Sequence, residues 1–343
     1  MRKCLGVLMV CALLLMASAT VRGTDTWVSG ATGNWSDGTK WGNAVPPTVA
    51  ETALINTGNV TLDTSQQVGQ LLMGNTVTSV GVLNITNGSN LTVSKASAEL
   101  FGVVKLTGGA SSTVNHSAGT VSVFQPGYTG LGETRLVTAS TTTGTAIYNL
   151  SGTGILDTEI LSKGNKLNTT AQFNATGGTL VLRNMIYRFG LISEGAGFNQ
   201  GTAKLEVGAI DTVKAITVGN ATNSMDYTVG TGGTMNFDIA SASSYDTILQ
   251  YGTLANTLGA TLSVDLLSGY TPTVGSFFDV WTFSDKTKAG SGAFAVLPAG
   301  FTAAWVDTSA DGSLDTLRLT YVPEPATIAL LGLGLLAMRR NKK

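Results

Sequence analysis

Between Val60 and about Phe237, apolar and small polar residues alternate in short runs separated by glycine and asparagine. Leu91-Thr92-Val93, Thr120-Val121-Ser122-Val123, Thr179-Leu180-Val181-Leu182 and Ala215-Ile216-Thr217-Val218 are examples. A period of two places alternate side chains on one face. Each run therefore predicts a half-buried strand, and each Gly/Asn cluster a turn. No segment of this region sustains helical spacing with caps.

A phrase recurs on this pattern. An apolar or aromatic residue precedes Asn, followed by any residue, Ser or Thr, a Gly-Thr or similar pair, and a strand. Copies begin at Leu83-Asn84, Val114-Asn115, Tyr148-Asn149 and Phe173-Asn174. Phe198-Asn199 is an eroded copy, and Tyr227-Thr228 has Thr at the Asn position. The marked positions lie 31, 34, 25, 25 and 29 residues apart. Repeats of this length built on short strands predict an all-β chain, a right-handed parallel β-helix with one coil per repeat. Asn or Thr at one turn position of successive coils can stack as a hydrogen-bonded ladder, and Gly supplies positive-φ corners. The repeated Asn accordingly reads as a corner residue. Asn34, Asn59, Asn84, Asn115, Asn149 and Asn174 also begin Asn-x-Ser/Thr sequons, which a chain rich in these residues produces by chance.

The flanks differ from the repeats. Residues 24–59 carry Trp27, Trp35 and Trp41, with Gly33-Asn34-Trp35 and Pro46-Pro47. The end of a coil stack exposes an apolar cross-section and unpaired backbone groups, which tryptophans can cover. Trp faces also suit stacking on sugar rings. This opening resembles that of bacterial surface β-solenoids and autotransporter-like passengers, which implies a cap before the first rung. The repeats span residues 60–244. Residues 245–321 contain Gly269-Tyr270-Thr271-Pro272 and Gly275-Ser276-Phe277-Phe278-Asp279-Val280. This block resembles the end of the passenger in autotransporter-repeat surface proteins, implying final coils or a small β cap.

Both termini carry targeting patterns. Arg2 and Lys3 precede an apolar run from Leu5 to Met16, then Ala17-Ser18-Ala19. This is the layout of a secretory signal peptide, residues 1–19, with cleavage expected after Ala19 and Gly23 as second choice. Residues 322–343 place Pro323-Glu324-Pro325 before an uncharged run, Ala326 to Met338, that includes Leu330, Leu331, Leu333, Leu335 and Leu336. A basic tip follows, with Arg339, Arg340, Lys342 and Lys343. A helix of about 13 residues reaches about 20 Å, short of the roughly 30 Å hydrocarbon core. The basic tip nonetheless argues for a membrane segment with a cytoplasmic stop. The three features in this order resemble the PEP-CTERM sorting signal of exported bacterial proteins. The resemblance implies a transmembrane anchor helix, recognition by an exosortase and removal of the tail.

Composition narrows the function. Cys4 and Cys11 both lie in the predicted signal peptide, so the mature chain lacks a disulfide, a Cys metal site and a thiol nucleophile. Six of the 20 basic residues lie in the two terminal signals; with a cut that spares Glu324, 14 remain against 21 acidic residues, a net charge of −7. A mildly acidic surface with 12% charged residues argues against nucleic acid as a partner.

Residues arranged for chemistry are few. His116 is the only histidine, so a zinc site or Cys–His pair is excluded, and a solvated turn is its simplest place. No Gly-x-Ser-x-Gly elbow is present. Parallel β-helices also host polysaccharide lyases and glycoside hydrolases, which need clustered carboxylates. Asp157, Glu159, Glu194, Glu206, Asp211, Asp226 and Asp238 read as scattered. Asp157 and Glu159 share a strand face, with Arg183 and Arg188 one coil on, and make the best candidate cleft. Asp307, Ser309, Asp311 and Asp315 surround Gly312 with the spacing of a calcium loop, but Arg318 stands where a bidentate Glu is required. No cofactor is expected.

The expected function is that of an exported, non-enzymatic structural or adhesive surface protein. It would leave by the Sec pathway, be held briefly in the inner membrane, and be processed by exosortase, with exopolysaccharide or envelope glycans as partners. A polysaccharide-binding or polysaccharide-degrading β-helix is the alternative.

Overall fold

The computed structural model describes residues 23–74, 78–94, 99–104, 110–123, 133–137, 144–162, 169–187, 197–208, 210–219, 221, 224–252 and 254–322. Within them the chain is all-β, with single 3₁₀ turns at Gly38–Lys40 and Leu267–Gly269. The predicted signal and anchor helices lie outside the described residues. Among the described residues, no helix is long and apolar enough to cross a membrane.

The strands are short and pair mostly in parallel with strands one repeat away. One six-stranded sheet is wholly parallel and contains Thr32–Asn34, Gly58–Thr61, Val80–Ile85, Ala110–His116, Gly144–Leu150 and Thr169–Ala175. A four-stranded sheet joins Gly197–Asn199, Asp226–Thr228, Leu254–Asn256 and Ala289–Ser291, also in parallel. Nineteen strands form the remaining sheet.

Register explains the core. Leu91, Val121, Leu156, Leu180, Leu205, Met235 and Leu262 are successive partners in the large sheet, and all are buried. The six-stranded sheet contributes Leu83, Val114, Tyr148 and Phe173 in one inward row, with Tyr148 and Phe173 stacked at 5.6 Å. Among the described residues these rows belong to one continuous apolar interior that runs from Trp27 to Leu319. Stacked in-register rows of this kind bury large area with only short strands.

The repeated Asn falls in the strands rather than at corners, which corrects the expectation. Asn84, Asn115, Asn149 and Asn174 are direct register partners on the outward face. Their amides form a ladder. Asn115 Nδ2 donates to Asn84 Oδ1 at 2.9 Å, Asn149 to Asn115 at 2.9 Å and Asn174 to Asn149 at 3.0 Å. Asn84 continues it by donating to Asn59 Oδ1, although Asn59 sits two positions off register. The corners belong to the glycines that follow. Gly119 has φ 78°, and a Cβ there would collide with the Ser89 carbonyl oxygen.

The two flanks close the stack differently: the first keeps parallel pairing under a tryptophan cluster, and the last turns antiparallel. Trp41 packs against Trp27 and Trp35 with ring centroids 5.1 and 4.9 Å away, and none of the three is more than 2% exposed. Trp41 Nε1 donates to Trp35 O at 2.8 Å. Their faces are closed to a sugar ring, which removes the stacking-platform alternative. At the other flank Phe277–Phe283 still pairs in parallel with Thr247–Gln250. Beyond it, Thr316–Tyr321 pairs antiparallel with both Phe277–Phe283 and Phe301–Val306.

Candidate functional site

The candidate cleft begins with Asp157 on Ile155–Ser162 and Arg183 on Thr179–Tyr187. Asp157 faces Val181 in register, so Arg183 reaches it diagonally from two positions further along the neighbouring strand. Arg183 Nε donates to Asp157 Oδ1 at 2.6 Å and Nη2 to Oδ2 at 2.7 Å. The pair is bidentate, and both Asp157 oxygens are engaged. Asp157 and the nearby Glu159 charge hold the Arg183 guanidinium more firmly protonated than usual, with the Asp157 bond the larger cause. Arg188 and Glu194 lie outside the described residues. The arrangement is an ion-paired clasp between neighbouring strands, a geometry that stiffens a sheet face.

The loop from Asp307 to Asp315 uses its carboxylates on itself. Asp307 accepts from the amides of Ser309 at 3.1 Å, Ala310 at 2.6 Å and Gly312 at 2.8 Å. Those amides hold its pKa below the usual carboxylate range. Asp311 accepts from Ser313 N at 2.8 Å, and Asp315 from the Thr308 and Thr316 hydroxyls at 2.6 Å each. Asp307, Asp311 and Asp315 do not converge within ligand distance of one another. Arg318 turns away to Asp279, at 2.7 and 2.9 Å. The loop is a self-capped turn in which backbone N–H groups occupy the oxygens a cation would need.

His116 is not in a solvated turn. It ends Ala110–His116 on the inward parity, in register with Ile85 and Leu150, and is 1% exposed. Burial pushes its pKa down to about 4, so the ring is neutral at pH 7.

Glu206 and Asp238, which the sequence presents as scattered, converge, and Asp265, which the sequence does not single out, joins them. Glu206 on Lys204–Val207, Asp238 on Thr234–Ser241 and Asp265 on Thr261–Leu266 place one oxygen each within 4.8 Å of the others. Register produces the convergence, because Glu206 faces Asn236 and Asp238 faces Asp265. Asn236 Nδ2 bridges the group, donating to Glu206 Oε1 at 2.6 Å and to Asp265 Oδ2 at 2.8 Å. Lys204 Nζ reaches Glu206 Oε2 at 2.7 Å.

This face is covered. Glu206, Asn236 and Asp238 are buried, while Asp265 is exposed at the edge. Asp246 links the Asp238 and Lys214 backbones, accepting from Lys214 N at 2.6 Å and Asp238 N at 2.7 Å. Burial, more than any other cause, raises the pKa of Asp246 to about 7 and of Asp238 to about 6. For Asp238 the charges of Glu206 and Asp265 add to the rise, and the Thr212 amide opposes it.

Ala17, Ala19, Pro323, Glu324, Pro325 and the anchor and basic-tip residues lie outside the described residues. The comparison with protein families reaches the tail. No curated protein matches the chain. A family model described as the PEP-CTERM protein-sorting motif matches residues 322–343, so the chain carries at its C-terminus a motif that implies exosortase processing and export to the cell surface.

Proposed function

We propose that the chain is an exported surface protein whose delivered part is a right-handed parallel β-helix with a structural or adhesive role and no catalytic activity. The sorting motif at residues 322–343 carries this reading. Strand pairing at repeat spacing, the Asn ladder and the single continuous core support the β-helix. Residues 1–19 would direct Sec export. Residues 24–59 cap the first coil, 60–244 form the coils and 245–321 close the far end. The segment around Leu330–Leu336 holds the chain in the inner membrane until exosortase acts at Pro323-Glu324-Pro325. Envelope glycans or exopolysaccharide are the proposed partners. The alternative, a polysaccharide-degrading β-helix, has no free paired carboxylates at Asp157 to support it, because Arg183 occupies both oxygens.

Replacing Pro323, Glu324 and Pro325 together with Ala tests the sorting reading in the exporting host. The expected result is an unshortened chain retained in the membrane fraction. Release at the same mass as the unaltered protein would overturn it. A depolymerisation assay on acidic and neutral polysaccharides tests the non-enzymatic reading, which product formation lost in D157N would overturn.

A further inference from the structure

We infer that Glu206, Asp238 and Asp265, with the Asn236 amide, form a site for one calcium ion. Two unsatisfied buried groups, one within the acidic cluster and one beside it, point to a missing ligand. Asp238 is 0% exposed and lies among the other carboxylates; the Thr212 amide lies nearby, but among the described residues neither Asp238 oxygen accepts a well-aligned hydrogen bond. The Asn236 amide oxygen, also buried, has none either. A buried carboxylate with both oxygens unsatisfied is costly, and a bound cation is one of the few things that satisfies both at once.

The donor set specifies the ion. All donors are hard oxygens, with no imidazole or sulfur. Ligands about 2.3–2.6 Å from one calcium lie at most about 5 Å apart, which the 4.8 Å limit on the three oxygens meets. Both Asp238 oxygens are available for bidentate contact, which calcium accepts more readily than magnesium. Among the described residues Lys204 pairs with one of the three carboxylates, and the neighbouring Asp211 and Asp246 leave the group with a surplus of negative charge suited to a divalent cation. Asp265, exposed at the edge, gives solvent a way in. In the present arrangement the Asn236 NH₂ bridges Glu206 and Asp265 where the cation would bridge them. The residues come from three strands in neighbouring repeats, so the ion would cross-link successive rungs outside the apolar core.

The test is calorimetric titration of the full chain with CaCl₂ and MgCl₂, paired with thermal unfolding in EDTA and in excess CaCl₂. One calcium per chain is expected, with a dissociation constant of roughly 10⁻⁴–10⁻³ M as in other extracellular modules. A rise in Tm is expected at about 100-fold excess over that constant. D238N and D265N should each abolish the binding heat and the Tm rise, while D311N in the distal loop keeps both. D265N alters an exposed carboxylate, so its result does not depend on whether D238N folds. Absence of a calcium-dependent Tm rise in the unaltered chain would overturn the site. So would a rise of equal size in D265N, or its loss in D311N.

Discussion

The His116 imidazole and the Tyr148 hydroxyl, on adjacent parallel strands, meet at 2.9 Å inside the core. The other ring nitrogen, Nε2, lies 2.9 Å from the Gly119 carbonyl, which can only accept. Nε2 therefore carries the proton and Nδ1 accepts from Tyr148, a neutral ring held from both sides.

That pairing predicts acid sensitivity. The folded pKa of about 4 lies below the usual 6.5, so this residue's contribution is complete above pH 6.5. It is lost as pH falls from 6.5 toward 4, because the unfolded chain takes up the proton first. A separation of this size is worth about 3 kcal/mol. Chemical denaturation of the full chain at pH 7.5, 6, 5 and 4.5 should show H116Q with a shallower fall in stability than the unaltered chain. Parallel profiles would refute the assignment.

The asparagine ladder predicts a local cost with coupling. Asn149→Ala removes one hydrogen bond to Asn115 and one from Asn174. The expected loss is about 1–2 kcal/mol, read from the urea midpoint. Asn115→Ala combined with Asn149→Ala should cost less than the two singles together, since both remove the same bond. Strict additivity would mean that the amides contribute independently.

The tryptophan cluster predicts the largest single effect. Trp41→Ala removes two ring contacts and the bond from Nε1 to the Trp35 carbonyl. Loss of a buried ring of this size costs about 3–5 kcal/mol. Thermal unfolding measures it, and a cost under about 1 kcal/mol would show that the cluster is not packed as described.

Much of the strand pattern was legible in the sequence, because alternation and spacing are local properties. The Asn positions fixed the register of four strands in advance, yet their placement at corners failed, since the phrase alone does not show where a strand ends. His116 was legible in principle. It shares parity with Val114, so a strict period of two would have sent it inward with Ile85 and Leu150. The acidic group was not legible. Glu206, Asp238 and Asp265 are separated by 32 and 27 residues, and only the completed register brings them to one place.

The antiparallel flank has a mechanical consequence. Thr316–Tyr321 is held on both sides, by Phe277–Phe283 and Phe301–Val306, and the chain leaves it at Val322, where the matched sorting segment begins. Ladder hydrogen bonds run perpendicular to antiparallel strands. A pull transmitted along this strand from Val322 therefore loads two rows of bonds together in shear, instead of opening them one at a time. The last strand acts as a strain relief, keeping tension at the tail from peeling the rungs behind it.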